Sequence, residues 1–144
     1  MIRKATESDV IKVSRLWIEM VKELSPNYEP NIDWWREQTR FLICNNKDYK
    51  LFVADDGGKI IGFIDFLLQL ESARGKRCVF ARHFYIKPEY RYKKRIAKEL
   101  YETGIISGKE WKANLYMFLC QENEKEMWIK QGYSPGEIIM EKSL

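Results

Sequence analysis

Hydrophobic residues recur along the first third of this chain at the three- and four-residue spacing of an amphipathic helix. The apolar positions that define this stripe are Val10, Val13, Trp17, Met20 and Leu24. Thr6 with Asp9 three residues later is typical of a capped helix start, and a short strand is predicted before it at residues 2–5. A Ser-Pro-Asn sequence then breaks the stripe, and a second helix is predicted over residues 31–43.

The middle of the chain is rich in β-branched and aromatic residues, which predicts strands. Residues 51–54 and 59–70 are apolar runs separated by Asp-Asp-Gly-Gly, a sequence with hairpin-turn chemistry. A polar loop over residues 72–76 leads to a third strand at 79–86, which ends before Pro88 because proline cannot donate to a ladder. These strands predict an antiparallel meander.

The pattern in the last third of the sequence predicts a further strand that lies parallel to the third strand of that sheet. A helical pattern containing Ile96, Ala97, Leu100 and Tyr101 follows the third strand, and the continuous apolar run 115–120 is typical of a strand buried on both faces. A helix over 123–131 and a last strand over 137–141 complete the chain. The predicted fold class is therefore α/β, with a mixed sheet that is mostly antiparallel and has parallel central strands.

Composition limits the class of protein. With 144 residues, of which 45% are hydrophobic and 14% aromatic, the chain is predicted to form one globular domain, residues 1–144. Cys44, Cys78 and Cys120 are odd in number and lack metal-ligand spacing, so we expect reduced thiols, no disulfide and no metal site. No apolar run is long enough to span a membrane, and the N-terminus lacks a signal peptide, which predicts a cytoplasmic protein with no membrane partner.

A basic loop lies just where the helix after the third strand begins. Arg91, Lys93, Lys94 and Arg95 surround the first helical turn, whose free amides and positive dipole end favour a phosphate or pyrophosphate. A solvated helix start with no ligand has the same charge pattern. A nucleic-acid binder using this loop with Tyr90 and Tyr92 is the least favoured interpretation.

The residues around this loop resemble the acetyl-CoA motif of the GCN5-related N-acetyltransferases (GNAT). Tyr-Ile-Lys-Pro-Glu-Tyr-Arg over 85–91 and Ile-Ala-Lys-Glu-Leu over 96–100 carry the resemblance. If Ala97 is the last motif residue, Arg95 stands where the family has glycine and Tyr92 where it has Arg or Gln. If Arg91 is the first, Lys94 and Ile96 occupy the two small positions. The N-terminal Ile-Arg-x-Ala-Thr-x-x-Asp and the segment 123–133 are similar as well, so the resemblance covers nearly the whole chain.

The resemblance implies a GNAT-like fold whose central strands are splayed around a cofactor cleft, with acetyl-CoA as cosubstrate. It implies direct attack of a primary amine, either a small molecule or a peptide, on the thioester. The residues that it assigns to the cofactor are Phe84, Tyr85 and Ile86 through their backbone, Arg91, Tyr92, Lys93, Lys94, Arg95, Ile96 and Ala97 around the phosphates, and Asn123 and Trp128 near the pantetheine arm. Asn123 is also a predicted helix cap. Trp128 stands where many members have a Tyr acid, a role that indole cannot take.

The resemblance does not assign a residue to the role of catalytic base. Family members often have an acidic base on the central strand, but no Asp or Glu occurs between Arg74 and Lys87. His83, the single histidine, is the nearest candidate, although a lone strand histidine is more often structural. Glu71 and Asp65 on the preceding strand are alternatives that would act through water. Three aromatic residues, which are either core or the lining of an acceptor pocket, are Tyr28, Trp34 and Trp35.

Three functions therefore stay open. The first is an N-acetyltransferase, and the second is a catalytically impaired GNAT-fold binding protein, since Arg95 and Tyr92 break the motif and Trp128 removes an acid. The third is the nucleic-acid binder. The acceptor is not encoded in any pattern, and the aromatic residues would allow a homodimer.

Overall fold

A five-stranded mixed sheet forms the centre of the structure, a computed structural model that describes residues 1–71, 75–136 and 142–143, with Glu71 lacking a described side chain. The strands are β1 (Ile2–Lys4), β2 (Tyr49–Asp56), β3 (Lys59–Glu71), β4 (Lys76–Ile86) and β5 (Leu115–Phe118), in the spatial order of the sequence. Neighbouring strands from β1 to β4 are antiparallel, and β4 and β5 are parallel. The predicted α/β mixed sheet is confirmed.

Helices cover both faces of this sheet. Helices α1 (Val10–Leu24) and α2 (Ile32–Asn45) lie on one face, and α3 (Lys94–Glu110) lies on the other, while α4 (Lys125–Lys130) is a short helix after β5. The apolar stripe of α1 is buried as predicted: Val13, Leu16 and Trp17 pack with the β3 residue Phe63. On the opposite face Leu100 of α3 packs in a second core. We refer below to the α1–α2 face and the α3 face.

The N-terminus of α1 is fixed by charge pairing. Asp9, which is 2% exposed, accepts a hydrogen bond from the Thr6 backbone amide at 2.9 Å, as the predicted capping sequence requires. The Arg3 guanidinium donates to both oxygens of the same carboxylate, at 2.7 and 2.8 Å. This hydrogen bonding lowers the pKa of Asp9 to about 2. The first strand and the first helix are thereby tied together.

The pairing between β3 and β4 contains a bulge that the sequence pattern did not predict. Asp65 pairs with His83, but the next residue, Phe66, pairs with Ala81, so Arg82 has no partner on β3. A bulge redirects the side chains next to it and increases the local twist. Its position matters because β5 pairs only with Cys78 to Ala81 of β4. From Arg82 to the end of β4, the strand edge that faces β5 is unpaired within the described chain.

Several predicted bounds differ from the structure. Helix α3 begins at Lys94, so Lys94 and Arg95 belong to the helix and not to a loop before it. Strand β5 ends at Phe118 and is half-buried, since it is the edge strand of the described sheet. Asn123 lies inside a short 3-10 turn, Glu122–Glu124, which Gln121 caps, so the prediction that Asn123 is a helix cap was wrong. The predicted strand over 137–141 and most of the predicted loop over 72–76 fall outside the described residues.

Candidate active site

A cleft of about 1200 Å³ opens where β4 and β5 separate. Its walls come from the bulge end of β4, the first turns of α3, the end of β5 and α4. The predicted site residues that line it are His83, Phe84, Arg91, Lys94, Arg95, Ala97 and Trp128. Tyr85 and Ile86 line a smaller adjoining pocket against α1. The cleft thus gathers residues from the central strand, the basic segment and the segment after β5, as the resemblance implied.

His83 is held by a buried carboxylate. The Nδ1 atom of His83 lies 3.0 and 3.1 Å from the two oxygens of Asp65, and the His83 backbone amide donates to the same carboxylate at 2.6 Å. Because an ionised carboxylate only accepts hydrogen bonds, Nδ1 must donate in this pair, which leaves Nε2 as the nitrogen with a free lone pair. The imidazole is therefore oriented and its tautomer fixed. About a third of its side chain, 36%, is exposed.

Asp65 itself has no access to water. Its side chain is fully buried, and it accepts a third hydrogen bond from the Tyr49 hydroxyl at 2.8 Å. Burial, with the Asp65 charge acting in the same direction, raises the pKa of Tyr49 well above its ordinary value, so the phenol stays a donor. The predicted use of Asp65 as a base acting through water does not suit this geometry, and its contacts instead suit a residue that positions His83. The Glu71 side chain lies outside the described part of the chain.

Aromatic residues lead away from His83 along the α1–α2 face. The Trp17 ring packs edge-on to the His83 ring at 6.0 Å between centroids, and Trp35 packs against Trp17 at 5.8 Å. Trp34 follows at 5.0 Å, and the Trp35 indole donates to the Tyr28 hydroxyl at 3.4 Å. The predicted acceptor residues Tyr28, Trp34 and Trp35 therefore lie on the same face as His83, with Trp35 one ring removed from it. Trp17, which the sequence placed only in the core stripe, makes the contact with His83.

The basic segment is less available to phosphates than its sequence indicated. Arg91 donates through Nε to the Ile86 carbonyl at 2.8 Å and through Nη2 to Glu23 of α1 at 2.7 Å. That pairing raises the pKa of Arg91 and lowers the pKa of Glu23. Lys87 pairs in the same way with Glu19, at 3.1 Å. These ion pairs join the C-terminal half of α1 to the segment between β4 and α3.

The remaining residues of the predicted motif occupy different environments. Lys93 lies over the rings of Tyr90 and Tyr92, at 5.2 and 5.9 Å from their centroids. Arg95 points outward, with 89% of its side chain exposed, and pairs with Glu99 one turn further along the helix. Ile96 and Ala97 are half-buried, and only Ala97 lines the cleft. The structure therefore brings Lys94, Arg95 and Ala97 to the cleft and leaves Tyr92, Lys93 and Ile96 beside it.

The far wall of the cleft is aromatic. Trp128 of α4 packs against Phe118 at 4.7 Å and against Tyr101 of α3 at 4.8 Å. Burial raises the pKa of Tyr101 to about 12, so the phenol is protonated at neutral pH. Asn123 is exposed and is not part of this wall. Tyr101 is a candidate that sequence reasoning assigned only to the helix stripe, because its contact with Trp128 depends on the packing of α3 against α4.

Family comparison agrees with this geometry. The model of the "Acetyltransferase (GNAT) family" matches residues 17–133, which contain every residue of the cleft. The chain belongs to the GNAT acetyltransferase family. Members of this family use acetyl-CoA and act on small-molecule or peptide acceptors. Comparison with curated proteins gives no matching sequence.

Solved structures of the same fold have very different sequences. Glucosamine-6-phosphate N-acetyltransferase from Arabidopsis thaliana is similar with a TM-score of 0.78 at 19% identity, over 99% of this chain and 97% of that one. A transcriptional regulator from Bacillus halodurans C-125 gives 0.80 at 15% identity, over 100% and 99%. A predicted acetyltransferase from Clostridium acetobutylicum, solved with acetyl-CoA, gives 0.73 at 19% identity, over 99% and 95%. At these identities the likeness shows the GNAT fold and does not assign an acceptor. In the described residues, no helix is both long and apolar enough to cross a bilayer.

Proposed function

We propose that this protein is an acetyl-CoA-dependent N-acetyltransferase in which a primary amine attacks the thioester directly and His83 is the general base. The observation that carries the proposal is the His83–Asp65 pair, with Nδ1 held at 3.0 Å and Nε2 free, at the point where β4 and β5 separate. A half-buried imidazole whose orientation and tautomer are fixed suits proton abstraction from an ammonium group.

The residues of the cleft fit acetyl-CoA. The unpaired edge of β4 offers the backbone amides of Phe84 and Ile86 and the Phe84 carbonyl to an extended pantetheine arm, in the manner of strand addition. The Tyr85 backbone pairs with β3, and the Ile86 carbonyl already accepts from Arg91.

The N-terminus of α3 offers the positive end of a helix dipole, with Lys94 and Arg95 beside it, to a pyrophosphate. The Lys94 and Ile96 amides already donate to the carbonyls of Tyr92 and Lys93, at 3.0 and 2.9 Å. Arg95 replaces the family glycine, but its side chain points away along the helix, so it leaves the helix end accessible.

Each step is assigned to residues of this chain, with acetyl-CoA supplying the activated acetyl group. His83 Nε2 accepts a proton from the acceptor's ammonium group, which frees the nitrogen lone pair to attack the thioester carbonyl, and Asp65 stabilises the imidazolium that results. The new C–N bond replaces the C–S bond, CoA leaves as the thiolate, and the second proton of the nitrogen passes to solvent. A backbone amide on the unpaired edge of β4 stabilises the charge that develops on the carbonyl oxygen. The Tyr101 phenol, which lies against Trp128, donates a hydrogen bond to the sulfur of the leaving thiolate. Tyr101 thus stabilises the leaving thiolate as a hydrogen-bond donor and does not transfer its proton.

Thiol release in the presence of acetyl-CoA and a panel of amines tests this proposal. The panel combines small amines, polyamines, amino acids and peptides with free N-termini or lysines. We expect at least one amine to accelerate thiol release and His83→Ala to lower the turnover number about 100-fold while the affinity for acetyl-CoA stays within about twofold. Acetyl transfer at the wild-type rate by His83→Ala would refute the role of His83.

One observation favours a second function, a GNAT-fold protein that binds the cofactor poorly. Arg91 is already engaged by Glu23, and Arg95 by Glu99, so two of the cations next to the phosphate site have partners. Calorimetry with CoA separates the two functions, because an impaired protein would show no heat of binding at low salt while remaining folded.

A further inference from the structure

Arg82 occupies a special place in the cleft. It is the bulge residue of β4, adjacent in sequence to His83, and it is exposed and lines the cleft. Within the described part of the chain Arg82 forms no ion pair, whereas Arg91 and Arg95 both have carboxylate partners. An exposed guanidinium therefore stands beside the candidate base.

Arg82 lies next to the Asp65–His83 pair at the bulge, and Arg82 and His83 line the same cleft. The positive charge of Arg82 opposes the rise in the pKa of Tyr49 that burial and Asp65 cause. In a regular strand, neighbouring residues face opposite sides, and His83 contacts Trp17 of α1. The bulge accounts for Arg82 and His83 both lining the cleft.

Arg82 is too far from the phosphate site to serve the cofactor there. Strand residues rise by about 3.3 Å each, so Arg82 lies about 13 Å from Ile86, and the cationic start of α3 follows only after that residue. The pantetheine arm would have to extend from α3 towards His83, and the nucleotide would extend the other way. Arg82, at the opposite end of the cleft, is therefore available to bind the second substrate, the acceptor amine.

We infer that the acceptor amine carries an anionic group, a carboxylate or a phosphate, which pairs with Arg82 while the amine nitrogen faces His83. This inference rests on the proposed function. Arginine suits the role because its planar guanidinium can bind either anion with two parallel hydrogen bonds, and the two anions differ only in charge and shape. The aromatic residues Trp17 and Trp35 would border the apolar part of such an acceptor.

Three amines with the same two-carbon spacer test the inference: ethanolamine, β-alanine and O-phosphoethanolamine. We expect kcat/KM for at least one anionic amine to exceed that for ethanolamine by about ten- to a hundredfold, the range of a charge-assisted hydrogen bond. Arg82→Gln should abolish this preference by raising KM, with little change in kcat, and Arg82→Lys should retain part of it. The matched control is Arg77→Gln, an exposed arginine of the same strand that does not line the cleft and should leave the preference intact.

A titration followed by ¹⁵N NMR of the Arg82 Nε and the His83 imidazole in the acetyl-CoA-free protein gives a readout without turnover. Anionic amines should shift both signals in the wild type and not in Arg82→Gln, and ethanolamine should shift neither. Equal binding and equal kcat/KM for the three amines, or a preference that survives in Arg82→Gln, would overturn the inference. The same holds if the best acceptor of the amine panel has no anionic group. Anion binding at Arg82 without any acetyl transfer would instead leave the anion site standing and refute the proposed function.

Discussion

Replacing Asp65 with Asn tests the assignment of His83 most sharply, because it changes charge and hydrogen bonding with almost no change in volume. The Asp65 carboxylate accepts from the His83 amide at 2.6 Å through Oδ1 and from the Tyr49 hydroxyl at 2.8 Å through Oδ2. An Asn oxygen must take the Oδ1 position, since its NH2 group would meet the His83 amide donor there. The NH2 group then lies where Oδ2 is now, 3.0 Å from Nδ1.

That arrangement replaces two acceptors for Nδ1 by a donor at 3.0 Å and a neutral acceptor at 3.1 Å, which favours the tautomer with hydrogen on Nε2 and blocks the lone pair that must accept the proton. It also removes the negative charge that stabilises the imidazolium. General-base catalysis contributes about 100- to 10,000-fold, so we expect Asp65→Asn to lower kcat about 100-fold or more, equivalent to about 2.7 kcal/mol in the activation free energy. The assay is thiol release with the best acceptor of the panel. The affinity for acetyl-CoA should change less than twofold.

Tyr49→Phe is the matched control for this experiment. It removes one donor to the same carboxylate but leaves the tautomer of His83 unchanged, so it should lower the free energy of unfolding by about 1 kcal/mol and kcat by less than about threefold. A folded Asp65→Asn variant with wild-type kcat, or one no more impaired than Tyr49→Phe, would refute the role of His83 as base.

Three further predictions concern the cofactor and the fold. Tyr101→Phe should lower kcat about tenfold without changing acetyl-CoA affinity, and Trp128→Tyr should keep or raise activity; unchanged turnover in the first variant, measured by thiol release, would remove the phenol from the reaction. Arg95→Glu should weaken acetyl-CoA binding in calorimetry and Arg95→Gly should retain it with less salt dependence, whereas equal affinities would place Arg95 outside the site. Asp9 has its pKa lowered from 3.8 to about 2, so it contributes about 2 kcal/mol of stability above pH 4 that is lost as the pH falls towards 2; urea unfolding of Arg3→Gln should lack this pH-dependent part.

Local patterns predicted most of the fold. The stripe of α1 and the hairpin turn at Gly57 and Gly58, whose φ angles are 63° and 90°, follow from side-chain spacing and backbone freedom within a few residues. The bulge at Arg82 does not, because it depends on how two strands slide past each other to fill the cores on both sides of the sheet. The unpaired edge of β4 beside His83, which follows from the bulge, therefore could not be predicted from the sequence.

The site was predictable in its residue types and not in its partnerships. His83 stood out as the single histidine on the central strand, and Asp65 was named, but their pairing depends on a register that only the sheet fixes. The basic segment was visible as charge, while Glu23, which engages Arg91, lies 68 residues away in sequence. Tyr101 is identified as a candidate site residue only by its contact with Trp128 in the structure.

Calorimetric titration of the wild-type protein with acetyl-CoA, at low and at physiological ionic strength, tests the central claim most directly. We predict saturable binding at low salt that weakens as salt rises, because exposed cations near the start of α3 replace part of the close backbone contact that a glycine would allow. A folded protein that gives no heat of binding at low salt, with acetyl-CoA in large excess, would contradict the account.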